Sequence, residues 1–224
     1  MHPTVSNLTI IEKQINNKIS KEANIEKKIN IVAVSKTFKM VDIKPLIDFG
    51  HIHYGENKVQ EAVEKWSQIK TNNKKIKLHL IGKLQTNKVK FTLPLFDYIH
   101  SLDNLKLAEK ISLEQVKKKF KPKIFVQVNI GNEIQKGGIH VKDLEVFVEK
   151  CKQSYDLNII GLMCIPPNDD KTKTYFIEMN KLNQKFGFNE LSMGMSSDYN
   201  QAIENGASYI RVGSKIFGER SIKF

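Results

Sequence analysis

Ile31-Val32-Ala33-Val34-Ser35-Lys36 is an apolar run closed by a serine and a lysine, and residues 41–49 behind it carry the spacing of an amphipathic helix. The same unit recurs along the chain. Strand-like segments are expected at 31–35, 51–54, 78–82, 98–101, 123–130, 159–165, 190–195 and 209–213. Helix-like segments are expected between them, at 41–49, 56–69, 84–90, 104–120, 141–155, 172–186 and 199–205. A further amphipathic helix, over 6–29, precedes the first strand. Strands alternating with helices imply right-handed crossovers and a parallel sheet. Eight strand segments with no linker, repeat or change of composition point to one α/β domain over residues 1–224, a (β/α)8 TIM barrel with an extra N-terminal helix. A doubly wound open sheet is the alternative.

The chain has 224 residues, with 36 Lys and Arg against 24 Asp and Glu, a formal net charge of +12. All the basic residues except Arg211 and Arg220 are lysine, scattered over helical segments. Readers of phosphate backbones and base edges lean on the planar arginine fork and gather their charge into one footprint. The charge is therefore read as solvated surface, with no nucleic-acid partner expected. The densest run, Lys117-Lys118-Lys119-Phe120-Lys121, suits the C-terminal pole of a helix. A hydrophobic share of 40% supports a buried core. No apolar run reaches the roughly 18 residues of a membrane span, and no secretory signal is seen. Two cysteines, Cys151 and Cys164, make no disulfide framework, so a cytoplasmic location is expected.

In a barrel the chemistry sits where strands end. Alternation along the first strand aims Lys36 into the mouth, where partial desolvation lowers a lysine pKa and makes it a nucleophile toward carbonyls. A lysine snorkelling out of the rim gives the same pattern. Ser192-Met193-Gly194-Met195-Ser196-Ser197-Asp198 and Arg211-Val212-Gly213-Ser214-Lys215-Ile216-Phe217-Gly218 both read strand, glycine, hydroxyl, helix start. Each alone is an ordinary helix cap; the two together, after the last two strands, suggest a phosphate cradle. Arg211 suits a rigid fork aimed at a ring nitrogen or carboxylate, or else a surface ion pair. His51 and His53 form an H-x-H pattern without a companion carboxylate cluster. They are assigned to packing together with His79 and His100, and Cys164 reads as core.

The assembled segments resemble the pyridoxal phosphate homeostasis proteins, single-barrel relatives of the alanine racemase N-terminal domain, over about residues 4–220. The carriers are Ala33-Val34-Ser35-Lys36-Thr37, Gly55-Glu56-Asn57-Lys58-Val59-Gln60-Glu61, His79-Leu80-Ile81-Gly82-Lys83-Leu84-Gln85-Thr86-Asn87-Lys88, His100-Ser101-Leu102-Asp103, Gly161-Leu162-Met163 and the two C-terminal segments above. Thr86 and Ser214 stand where serine and threonine are more usual, and the 165–168 loop is slightly recast. The resemblance implies pyridoxal 5′-phosphate (PLP) as cofactor, in a Schiff base with Lys36. It places Asn57 beside the cofactor ring, Ser196 with the Gly213 and Ser214 backbone on the phosphate, and Arg211 at the pyridine nitrogen. It further implies a monomeric carrier in vitamin B6 homeostasis without robust catalysis, delivering to apo PLP-dependent enzymes. A racemase-like enzyme is the alternative. A racemase needs an acid/base on each face of the cofactor plane, and a chain ending at Phe224 is expected to lack the β-domain that supplies the second. A cofactor-independent aldolase would need a lysine base with a carboxylate around the central strands, and nothing at 123–131 supplies that pair.

Overall fold

A computed structural model describes residues 1–20 and 28–219. Among them, nine parallel strands are β1 (Asn30–Val34), β2 (His53–Glu56), β3 (Lys77–Leu80), β4 (Tyr98–Leu102), β5 (Lys123–Asn129), β6 (Ile139–His140), β7 (Asn158–Cys164), β8 (Glu190–Ser192) and β9 (Tyr209–Val212). Eight of them close a barrel: β1 pairs with both β2 and β9, and β4 pairs with β5. The two-residue β6 hangs on the end of β5, outside the ring. The helices are α1 (Pro3–Ile19), α2 (Met40–Phe49), α3 (Val59–Asn72), α4 (Val89–Thr92), α5 (Leu105–Lys118), α6 (Leu144–Ser154), α7 (Thr172–Lys185), α8 (Tyr199–Glu204) and α9 (Ser214–Phe217). The molecule is the TIM barrel with an N-terminal helix that the strand and helix rhythm implies.

Two apolar layers follow from strand parity. Ile31 and Ala33 face outward into the layer under the helices, whereas Val32 joins Tyr98, Phe125, Met163 and Tyr209 inside the barrel. The helix α1 buries Leu8, Ile11 and Ile15 and ties itself to the C-terminal elements. Asn7 donates to the Ile216 carbonyl at 3.0 Å, and Tyr199 to Gln14 Oε1 at 2.6 Å.

Local boundaries differ from expectation in several places. The helix expected over 84–90 is a 3₁₀ turn at Thr86–Lys88 followed by α4, which stops at Thr92 because the residue before Pro94 is held extended. Glu56, expected to open a helix, instead ends β2 with its side chain buried. The strand expected over 190–195 stops at Ser192, ahead of the turn at Gly194, whose φ is +90°. β6 is too short to show a period. The helix expected over 6–29 is α1, which starts at Pro3 and ends at Ile19 with its cap at Ser20; residues 21–27 lie outside the described residues, as does Arg220.

Candidate functional site

At the C-terminal ends of the strands lies a cavity of about 700 Å3, and Lys36, Asn57, Ser196, Arg211, Gly213 and Ser214 all line it. Lys36 arrives there by parity: Val32 points inward, Val34 lines the cavity wall, and Lys36 is two residues further. The next residue, Thr37, has φ +69°, an uncommon conformation for a non-glycine residue. Its amide donates to Glu61 Oε1 at 3.0 Å. Lys65 Nζ braces the same turn, donating to the Ser35 carbonyl and to the carboxylates of Glu56 and Glu61. Ser35 Oγ and Trp66 Nε1 also donate to Glu56 Oε1, at 2.7 and 3.0 Å.

Asn57 sits where β2 runs out, and its Oδ1 is buried with no hydrogen-bond partner among the described residues. Gly82 lets the neighbouring strand end approach it, since a β-carbon there would lie 2.4 Å from the Asn57 carbonyl oxygen. Across the mouth, the turn at Gly194 packs against Ala202, and Asp198 Oδ1 accepts from the Met195 amide at 2.5 Å. That turn delivers Ser196, whose Oγ accepts from the Gly213 amide at 3.3 Å and so joins the two loops. Among the described residues the amides of Ser196 and Ser214 have no protein acceptor. Free amides beside hydroxyls suit an anion.

Arg211 is 4% exposed. Nη1 donates to Ser192 Oγ at 2.6 Å and Nη2 to the Cys164 carbonyl at 2.8 Å, both neutral acceptors. It makes no ion pair among the described residues. Burial lowers its pKa from the ordinary arginine value, with the Asp198 charge opposing. A guanidinium in this setting stays cationic. A buried cation without a carboxylate favours an acceptor brought into the cavity.

Three of the histidines assigned to packing from the sequence form a connected set. His100 Nδ1 lies 2.9 Å from Ser192 Oγ, His79 Nδ1 lies 2.9 Å from His100 Nε2, and His53 Nδ1 lies 2.9 Å from His79 Nε2. His51 turns away, its Nε2 bonding to the His53 carbonyl at 2.9 Å. Among the described residues no group of three or more His, Cys, Asp or Glu side chains is placed to hold a metal. Three consecutive strands each carrying one inward-parity histidine was the available signal. Their convergence depends on barrel closure. Cys164 is fully buried, and burial pushes its thiol up to about 12, which leaves it inert at neutral pH.

Residues 12–221 match the family model described as alanine racemase, N-terminal domain. The pyridoxal phosphate homeostasis protein of Aquifex aeolicus is 35% identical over 199 residues, covering 85% of this chain and 86% of that one. The structure of PipY from Synechococcus elongatus PCC7942 with PLP bound superposes with a TM-score of 0.79 at 31% identity, covering 91% of this chain and 99% of PipY. An alanine racemase of Clostridium difficile shares the fold at 15% identity, TM-score 0.72, with 97% of this chain covering 57% of that one. The family model and the Aquifex relative, both spanning most of the sequence, place this chain among the pyridoxal phosphate homeostasis proteins of the alanine racemase N-terminal-domain family.

Proposed function

We propose that the protein binds pyridoxal 5′-phosphate in the strand-end cavity and holds it for intracellular vitamin B6 homeostasis without robust catalysis. One observation carries this reading. A single cavity gathers an inward lysine and, with partners counted among the described residues, an unpartnered buried Asn57 oxygen, two free amides beside Ser196 and Ser214, and an arginine with no carboxylate. These residues fit the cofactor's aldehyde, ring substituents, phosphate and ring nitrogen in turn. When bound, the cofactor supplies an aldehyde and an electron-withdrawing ring. Lys36 Nζ would hold the aldehyde carbon as a Schiff base, with loss of water. Ser196, Gly213 and Ser214 hold the phosphate, and Asn57 borders the ring. Arg211 would direct its remaining N–H donors to the ring nitrogen, and its positive charge would disfavour protonation there, weakening the ring as an electron sink.

The ionisable groups of the cavity wall bear on holding against racemisation. Among the described residues they are Lys36, Lys83, Asp103 and Arg211, with no histidine, tyrosine or cysteine. Racemisation needs proton donors and acceptors on both faces of the cofactor plane. The reading extends to a single domain over residues 1–224, a cytoplasmic monomer, and apo PLP-dependent enzymes as recipients, with neither nucleic acid nor membrane as partner. Among the described residues no helix is long and apolar enough to cross a membrane.

The test is an absorbance titration of the purified chain with PLP, followed by borohydride reduction and peptide mapping, then transfer to an apoenzyme beside a racemase assay. A chromophore reduced onto Lys36 and lost in Lys36→Ala is expected, with transfer and negligible racemisation. A protein that stays colourless with added PLP would sink the reading.

A further inference from the structure

We infer that the barrel interior holds Arg211 through a one-directional ladder of neutral histidines, which replaces a carboxylate counter-ion and keeps the guanidinium turned to the cavity. His100, His79 and His53 are thereby positioning residues for the site.

The ladder runs from Arg211 on β9 to Ser192 on β8, across the barrel to His100 on β4, then through His79 on β3 to His53 on β2. Its polarity follows from the first link. A guanidinium only donates, so Arg211 Nη1 occupies a lone pair of Ser192 Oγ. Among the described residues the only other partner of that oxygen is His100 Nδ1. The Ser192 proton therefore goes to His100 Nδ1, which must be bare, leaving the ring proton on Nε2. His100 Nε2–H then donates to His79 Nδ1, and His79 Nε2–H donates to His53 Nδ1. Every ring turns its bare nitrogen toward the cation and its proton away from it. The reverse polarity would crowd two N–H donors onto Ser192 Oγ and leave the buried hydroxyl proton without an acceptor, a costly arrangement.

The surroundings keep the two inner rings neutral and dry. His79, His100 and Ser192 have no exposed surface. Tyr98 stacks on His79 with ring centroids 4.1 Å apart, and Phe125 covers His100 at 4.4 Å. Burial, and then the Arg211 charge, hold His100 well below the usual imidazole range; burial and the neighbouring rings do the same to His79. The ladder ends at His53, which lines a second cavity of about 370 Å3 at the opposite end of the barrel. Aligned imidazole dipoles thus solvate the cation without cancelling its charge, and that charge remains available to whatever acceptor enters the mouth.

The first arm of the test is independent of the cofactor. Ring-nitrogen NMR of the full chain labelled with 15N-histidine, at neutral pH, is expected to show His53, His79 and His100 all neutral and protonated on Nε2. A ring protonated on Nδ1, or on both nitrogens, overturns the ladder. The second arm rests on the PLP reading and compares two variants. His79→Gln keeps one acceptor and one donor; His79→Phe keeps the stack on Tyr98 but cuts the chain. With PLP bound, the absorption maximum is expected to stay with Gln and shift with Phe, and His100 is expected to keep its tautomer only with Gln. Unchanged absorption and tautomer in His79→Phe, or failure of Gln to preserve them, overturns the ladder. If PLP does not bind to the wild type, the cofactor reading fails while the tautomers still decide the ladder. Should the Phe variant not fold, the wild-type tautomers and the Gln variant decide it.

Discussion

Lys65 on α3 reaches Glu56 at the end of β2, Nζ to Oε1 at 3.1 Å, and the Glu56 side chain has no exposed surface. The pair lies directly behind Lys36, because Lys65 also donates to the Ser35 carbonyl. It is the brace on which the strand-end turn rests. Removing the cation leaves a buried carboxylate uncompensated, which costs about 3–5 kcal/mol. Lys65→Met is therefore expected to lower the urea-unfolding free energy by that amount, and to weaken PLP binding because the Lys36 turn loses its anchor. Unfolding curves alongside a cofactor titration check both.

Gly82 and Gly213 both line the cavity, yet they should respond differently to alanine. A β-carbon at 82 meets the Asn57 backbone at 2.4 and 2.7 Å, which no side-chain rotation relieves. At 213 the nearest atom is the Val34 β-carbon at 3.4 Å, close to ordinary contact. Gly82→Ala is expected to destabilise by about 1–3 kcal/mol as an overpacked site, and to displace Asn57. Gly213→Ala should leave the unfolding free energy nearly unchanged. Equal losses in the two variants would contradict this account.

Arg211→Glu reverses the charge proposed to face the ring nitrogen. A carboxylate there raises the basicity of that nitrogen, so the absorption spectrum of bound PLP should change. An identical spectrum would show that the side chain at 211 faces elsewhere in the loaded protein.

Acid should destabilise the fold through its histidines. Burial lowers His51 to about 4, and burial with neighbouring positive charge lowers His53 to about 4, while His79 and His100 fall well below the ordinary value. In the unfolded chain each titrates near 6.5. Between about pH 6.5 and 4 the unfolded state therefore binds protons that the folded state refuses, and stability falls as the pH drops. The penalty vanishes above the unfolded value. Each histidine contributes a slope of up to about 1.4 kcal/mol per pH unit. Melting temperatures from pH 7.5 to 4.5 should decline steeply, and His79→Gln should flatten the decline. A flat profile in the wild type would refute the neutral-histidine interior.

The sequence by itself determined the strand–helix alternation, which a barrel or an open sheet would satisfy, and the residues at the strand ends. Both depend on local periodicity: two-residue alternation aims Val32, Val34 and Lys36 inward, and a glycine followed by hydroxyl residues marks where β8 and β9 turn into their helices. Only the tertiary structure decided that Glu56 is a buried strand-end acid rather than the start of a helix, and that Gly82 wedges Asn57 into place. It also decided that three histidines from separate strands form one chain ending on Arg211. The His100–Ser192 contact spans 92 residues of sequence. The reason is geometric. A residue's face is set by its own strand, but its height and neighbours across the barrel axis are set by strand stagger and by closure of β4 on β5, which no single segment encodes.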